Sequence, residues 1–353
     1  MFETFGFETL TAPQAAVYFA LVIGLAFGGL AQITRFCFRR AIVGEDRRQA
    51  AGVWLTALAV AVLGTQAAVS ADLISFADHR FMAADLPVLA IAVGGLLFGI
   101  GMVLTRGCVS RLTVLTGSGN LRAALVLVVF AVIAHATLKG VLAPVRTALG
   151  SVTVPLENAA LPGNPLIWAA LIAVVALGIA LRSGNRFGTL IGAALIGALV
   201  PLAWVGTGFV LYDDFDPIAL ESLSFTSPAA DTLFWTIAST SISANFGVGL
   251  LGGVLVGAFI AALIRGQFQW QSFDTARQTG RYLTGAALMG VGGVLAGGCT
   301  VGAGLSGIPT LSIAALLAIA SIAAGGWLAG RVLSASSAES GAASTTRPLQ
   351  PAE

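Results

Sequence analysis

GIGMVLTRGCVSRLTVLTGSGN, residues 99–120, is the stretch from which the fold is read. An apolar span runs into Arg106-Gly107 and breaks there, immediately before Cys108. Roughly ten residues then lead to Asn120 and the next apolar run. At about 1.5 Å per residue they cover only about half of a hydrocarbon core about 30 Å thick. A short half-helix is expected, turning at Gly117-Ser118-Gly119. The same punctuation recurs on either side of it: Cys37 stands in TRFCFRR, and Cys299 stands in LAGGCTVG ahead of TVGAGLSGIP, where Pro309 opens the last span. Backbone that stops being helical at membrane depth must be packed in protein or line a cavity, because lipid cannot satisfy its freed N–H and C=O groups. Three thiols at three such breaks read as a lined path, with Cys108 and Cys299 each near a half-helix N-terminus where unpaired N–H groups favour anions.

The composition supplies the setting. Of the 353 residues 57% are hydrophobic and 10% charged, with a mean hydropathy of +0.93. Soluble domains carry about 25% charged residues, so this chain cannot cover a soluble surface and is read as an all-α polytopic membrane protein. Apolar runs at about 13–34, 50–70, 87–104, 121–140, 165–181, 187–207, 246–264, 282–297 and 310–331 give about nine transmembrane helices, with short re-entrant half-helices besides. Glycine supplies 44 residues and clusters with alanine inside the spans, where small side chains let helices approach. Arg35, Arg39, Arg40, Arg47 and Arg48 follow the first span, and Asp72, Asp78 and Asp85 follow the second. The positive-inside rule then places the N-terminus outside. The acidic stretch Asp213, Asp214, Asp216 and Glu221 also falls outside, and the C-terminus is cytoplasmic. MFETFGFETL has no basic residue before the first span, unlike a secretory signal peptide. Residues 1–332 read as one membrane transport domain, and 333–353 as a disordered cytoplasmic tail. Three cysteines cannot close a complete set of disulfides, and free thiols are expected.

Two internal matches point to pseudo-repeated halves. GIGMVLTRGCV (99–109) aligns with GVGGVLAGGCT (290–300), pairing Cys108 with Cys299, and AQITRFCF (31–38) aligns with AALIRGQF (261–268). The halves are about 15–140 and 245–332, with an unmatched middle at 141–230. Transporters are commonly built from such repeats. Nine crossings, however, make spans one and seven parallel but spans three and eight antiparallel, which one simple repeat cannot do. One of the segments near 36–48, 108–118, 229–243 or 299–308 is accordingly expected to be re-entrant.

The candidate path residues are Cys37, Cys108 and Cys299, with Gly107 and Gly298 preceding the last two, and Arg106 and Arg111 flanking Cys108. Cysteine is also an ordinary small core residue, and arginines near span ends also serve as interfacial anchors; Arg39, Arg40, Arg47 and Arg48 are read that way. Charges inside spans mark substrate paths, and no Asp or Glu lies within the nine runs, which favours an anion as cargo. His135, the one histidine inside a span, is read as packed and hydrogen-bonded against a neighbouring helix. Strings such as GVGGVLAGG lack the preceding strand of a nucleotide loop, so neither a nucleotide nor any other cofactor is expected, and nothing marks a nucleic-acid partner. A sulfurtransferase carrying a cysteine persulfide is one alternative, although no general base is evident beside a thiol. A soft-metal carrier is another, although the clustered spacing of such sites is absent. No metal site is assigned.

At RFCFRRA, LTRGCVSRLTVLTGSGNLRA and GGCTVGAGLSG the chain resembles the YeeE/YedE membrane family, sulfur-transport proteins that include bacterial thiosulfate importers. The resemblance covers roughly 15–140 and 245–332. It implies a bacterial plasma-membrane (inner-membrane) transporter, not an enzyme, that imports thiosulfate past Cys37, Cys108 and Cys299 by S–H···S hydrogen bonds. It also implies a small cytoplasmic sulfur-carrier partner of the TusA type.

Overall fold

The computed structural model describes residues 10–213 and 215–345, with side chains to 335. The acidic N-terminal residues, Asp214 and the tail beyond 345 lie outside the described residues. The helices in chain order are α1 (Ala12–Thr34), α2 (Phe38–Val43), α3 (Arg47–Ser70), α4 (Val88–Leu104), α5 (Val109–Gly117), α6 (Leu121–Lys139), α7 (Ala143–Gly150), α8 (Pro165–Leu181), α9 (Phe187–Val205), α10 (Thr226–Ala238), α11 (Phe246–Ile264), α12 (Ala276–Leu295) and α13 (Ile313–Thr345). A π-helical turn, Thr300–Gly307, follows α12, and another, Gly206–Val210, extends α9. Among the described residues the one sheet is an antiparallel pair, β1 (Asp85–Leu86) with β2 (Val154–Pro155), in which Asp85 faces Pro155.

Among the described residues, eight helices or broken helices are long and apolar enough to cross a membrane. Three of the eight carry the predicted breaks: Ala12–Val43 contains α1 and α2, Val88–Gly117 contains α4 and α5, and Ala276–Thr310 contains α12 and the π turn. A ninth apolar helix, Pro165–Leu181, is shorter. The protein is therefore an all-α polytopic membrane protein. Local sequence sets many of the helix starts. Asn120 and Asn245 accept the N–H groups of Ala123 and Val248 at 3.0 and 3.1 Å, each satisfying a donor that the first turn leaves unpaired.

Glycine decides how the helices pair. A Cβ added at Gly249, Gly253 or Gly257 of α11 would lie 2.2, 2.2 or 2.1 Å from the carbonyl oxygens of Val17, Leu21 and Leu25. The two series rise together, so α1 and α11 run parallel in backbone contact, as small-residue faces permit. Helix α4 is held likewise on two sides. Gly94 meets Ala296 and Gly101 meets Gly285, so α12 is antiparallel to it, whereas Gly95 and Gly99 meet Ala318 and Ile322, so α13 is parallel. We expect Gly253→Ala to lower the thermal midpoint in detergent, because overpacking costs about 1–3 kcal/mol. Gly252→Ala should not, since nothing lies within 4 Å of that position. Equal midpoints would refute the close seam.

These directions explain the conflict between the two sequence matches. Packing partners exchange under one relation: α1 packs on α11 as α9 packs on α3, α4 on α13 as α12 on α6, and α2 on α3 as α10 on α11. Under it α4 with Cys108 corresponds to antiparallel α12 with Cys299, and α9, inside the stretch read as unmatched, corresponds to α1. The 31–38 and 261–268 match instead joins side-by-side parallel helices that share a terminus. Both end on a left-handed residue, Arg35 (φ 55°) and Gly266 (φ 60°). In both, the next N–H reaches back five residues, Phe36 to Ala31 O and Gln267 to Ala262 O. The likeness is one of helix-stop chemistry.

Candidate functional site

Each cysteine occupies the same local position. Helix α1 stops at left-handed Arg35, α4 at left-handed Arg106 (φ 59°), and α12 ends just before left-handed Gly297 (φ 72°). The thiol follows two residues later. Only glycine adopts that conformation freely; an arginine there costs about 1–2 kcal/mol, so the surrounding packing must hold both arginines in place. Cys37, Cys108 and Cys299 are then extended N-cap residues of α2, α5 and the π turn. The Cys299 sulfur accepts the N–H of Gly302 at 3.4 Å. The equivalent N–H groups of Arg40 and Arg111 approach Cys37 and Cys108 without closing a cap bond.

All three thiols are free and buried, at 3%, 1% and 0% exposure, in one core cluster. The Cys37 and Cys108 side chains are neighbours in that cluster. Cys108 Sγ lies 3.3 Å from Ser110 Oγ. Beside it, within reach of the Cys108 sulfur, stands the buried hydroxyl of Thr300. Thr300 follows Cys299, so it ties the third thiol to the pair. Phe27 packs on Phe225 and Phe36, with ring centroids 5.3 and 6.1 Å away, and the Phe225 backbone contacts Cys299. Phe225 caps α10 as Cys37 caps α2, so the exchange relation that sets Cys108 against Cys299 sets an aromatic ring against the remaining thiol.

The structure parts Arg106 from Arg111. Arg111 points back to α1 and donates to Ala31 O and Gln32 Oε1, both at 3.4 Å. Gln32 in turn donates from Nε2 to Gln267 Oε1, across the α1–α11 seam. Arg106 is exposed and lines a cavity of about 460 Å³ with Arg39, Arg47, Arg281, Arg331 and Glu45. Gly107 is buried but has room for a Cβ, whereas Gly298 would place one 2.9 Å from Ala303 N. Asp46, just past the first span, pairs with Arg40, which holds that carboxyl below its usual range. His135 stacks on Phe234 of α10, ring centroids 4.7 Å apart.

A second cavity of about 590 Å³ is lined by His79, Arg80, Trp204, Glu221, Ser224, Gly302 and Ser306, among others. The arginine-lined cavity borders the start of α3 and this one borders the loop after its end. The 24 residues of α3, about 36 Å long, place them on opposite faces. The floor of the second includes Gly302, the donor to Cys299. The wall of the first includes Arg39 and Arg106, each two residues from a thiol. The thiols thus stand between a basic cavity and one fringed by acids.

Sequence reading missed Glu221 and Arg80 as site residues, because both lie in loops flanked by polar residues. The signal available was the run ESLSFTSP (221–228), too apolar at its centre for an exposed connection. It folds inward, with Leu223 and Phe225 at 0% exposure, Ser222 donating to Val200 O and Ser306 to Leu223 O.

Fold and site define a multi-pass membrane protein whose core gathers three thiols between two opposed cavities. The chain belongs to the Sulphur transport (YeeE/YedE) family, whose model matches residues 33–328. It is similar to the thiosulfate transporter TsuA of Escherichia coli strain K12, 27% identical over 317 residues that cover 81% of this chain and 85% of that protein. It is also similar to the thiosulfate transporter TsuA of Spirochaeta thermophila, 25% identical over 321 residues that cover 84% and 93%.

Proposed function

We propose that this chain imports thiosulfate, or a closely related sulfur-containing anion, across a bacterial inner membrane, and does so as a carrier rather than an enzyme. The observation that carries the reading is the burial of Cys37, Cys108 and Cys299 between two cavities on opposite faces. The similar proteins named above are thiosulfate transporters. Thiosulfate has a soft terminal sulfur and hard oxygens. A neutral thiol donates a weak hydrogen bond, suited to the soft end, while Arg111 and backbone N–H groups suit the oxygens. Cys299 receives the ion from the acid-fringed cavity, Cys108 and Cys37 pass it on by S–H···S contacts, and the arginine-lined cavity collects it. Weak sites in series favour conduction, since a strong site would trap the ion.

The acid-fringed face is external in this reading, and the C-terminus lies in the cytoplasm. Moving an anion inward against a negative interior costs about 2.3 kcal/mol per charge per 100 mV. Consumption of the cargo by a cytoplasmic sulfur carrier of the TusA type would supply part of that. The test is growth and radiolabelled thiosulfate uptake by a sulfur-auxotrophic uptake mutant with and without this gene. Uptake only with the gene is expected. Equal uptake in both strains would reject the proposal.

A further inference from the structure

The acid-fringed cavity holds a cation without a close partner. Arg80 lines both this cavity and a smaller neighbour, so solvent reaches its side chain although protein surrounds it. Among the described residues it forms no hydrogen bond and no ion pair; the ion pairs are Arg40–Asp46 and Arg122–Asp274. Its guanidinium carbon lies over the Phe81 ring, 5.1 Å from the centroid. Trp204, whose indole N–H is buried without a partner, lines the same cavity. The carboxyl that acts on Arg80 is Glu221, carried inward by the 215–225 loop.

We propose that this cavity is a proton-controlled anion site, in which Arg80 holds the oxyanion while Glu221 is a neutral acid, and ionised Glu221 competes with the anion for that charge. The proposal rests on the transport reading above and adds the residues that admit the anion and the ion that regulates them. The proton comes from the solution filling the cavity and ends on the Glu221 carboxylate; no bond other than O–H is made or broken.

The groups facing Glu221 set the direction. Burial raises its carboxyl to about 7, Asp231 on α10 adds to the rise, and Arg80 opposes it. Asp78, His79 and Tyr212 also line the cavity. Burial, with Arg80 beside it, lowers His79 to about 4. That imidazole is therefore neutral from pH 6 to 8, and its Nδ1 already accepts the N–H of Phe81. Glu221 is the group whose charge changes in that window. If the anion binds only with Glu221 protonated, affinity is highest below pH 7 and falls as pH rises, by about tenfold between pH 6 and 8 for a group titrating near 7.

The experiment is thiosulfate binding to the purified full-length protein by titration calorimetry at pH 6 and 8, in buffers of different ionisation enthalpy. The wild type should weaken about tenfold and take up close to one proton per anion at pH 8. Glu221→Gln, nearly the same size, should remove the proton uptake and bind at pH 8 about tenfold more tightly than the wild type. Arg80→Gln should lose about tenfold or more at both pH values, with Arg80→Lys recovering part of it. A wild type that transports thiosulfate in cells, but binds it without proton uptake or shares its pH profile with Glu221→Gln, overturns this proposal and leaves the transport reading standing. No binding at either pH together with no uptake in cells overturns both.

Discussion

Uptake of thiosulfate should fall at least about tenfold when Cys108 or Cys299 is replaced by alanine, with inserted protein unchanged. Cys108 is where the internal contacts converge: it neighbours Cys37, lies 3.3 Å from Ser110 Oγ and stands beside the buried Thr300 hydroxyl. Alanine at Cys108 removes the sulfur that stands between Cys37 and Cys299, and alanine at Cys299 removes the first thiol of the relay. A hydrogen bond to a charged group contributes about 1.5–3 kcal/mol, and each 1.4 kcal/mol is a factor of about ten. The fold should tolerate the change, because losing one buried heavy atom costs on the order of 1 kcal/mol. Serine should restore uptake only partly: its hydroxyl fills the site and donates, but it is a hard donor set against a soft sulfur. At Cys299 the sulfur also accepts the Gly302 N–H, which serine can replace. The measurement is initial uptake of labelled thiosulfate per inserted molecule. Wild-type rates in both alanine variants would rule out the thiol relay.

Reversing the charge at Arg111 should impair uptake far more than the same reversal at Arg48. Arg111 sits on α5 three residues from Cys108, bound to Ala31 O and Gln32 Oε1 and within electrostatic reach of Cys37 and Cys108. A unit charge about 6 Å from the ion, at an effective dielectric of about 20, contributes roughly 3 kcal/mol. Arg111→Glu both removes that attraction and adds repulsion, so a loss of about a hundredfold or more is expected. Arg111→Gln keeps a donor for the same acceptors and should fall between. Arg48 is exposed and donates to Arg182 O on the basic surface, where salt screens charges beyond about 8 Å. The assay is uptake normalised to inserted protein for each variant. Equal losses at the two positions would reduce Arg111 to a topological anchor.

Local features of this fold follow from adjacent residues. Hydropathy placed the spans, Asn120 and Asn245 start α6 and α11, and breaks before the three cysteines end α1, α4 and α12, although holding Arg35 and Arg106 left-handed at two of those breaks takes the surrounding packing. Each of these otherwise depends on a few adjacent residues and on the need to pair every backbone N–H and C=O away from water. What faces what was decided only by the tertiary structure. The AQITRFCF and AALIRGQF match read as a repeat, but it is the same helix stop written twice on parallel neighbours; contacts of Gly249, Gly253 and Gly257 with the Val17–Leu25 backbone fix that pairing across more than half of the chain. Arg106 and Arg111 are five residues apart, yet a reversal at Gly107-Cys108 sends one to a cavity and the other to α1. Glu221 reads as part of an acidic outer loop, and only packing of Leu223 and Phe225 against the core draws it in beside Arg80. Side-chain periodicity says whether a residue is suited to burial. Which distant helix it is buried against depends on close approaches between small residues far apart in the chain, and those are settled when the helices pack.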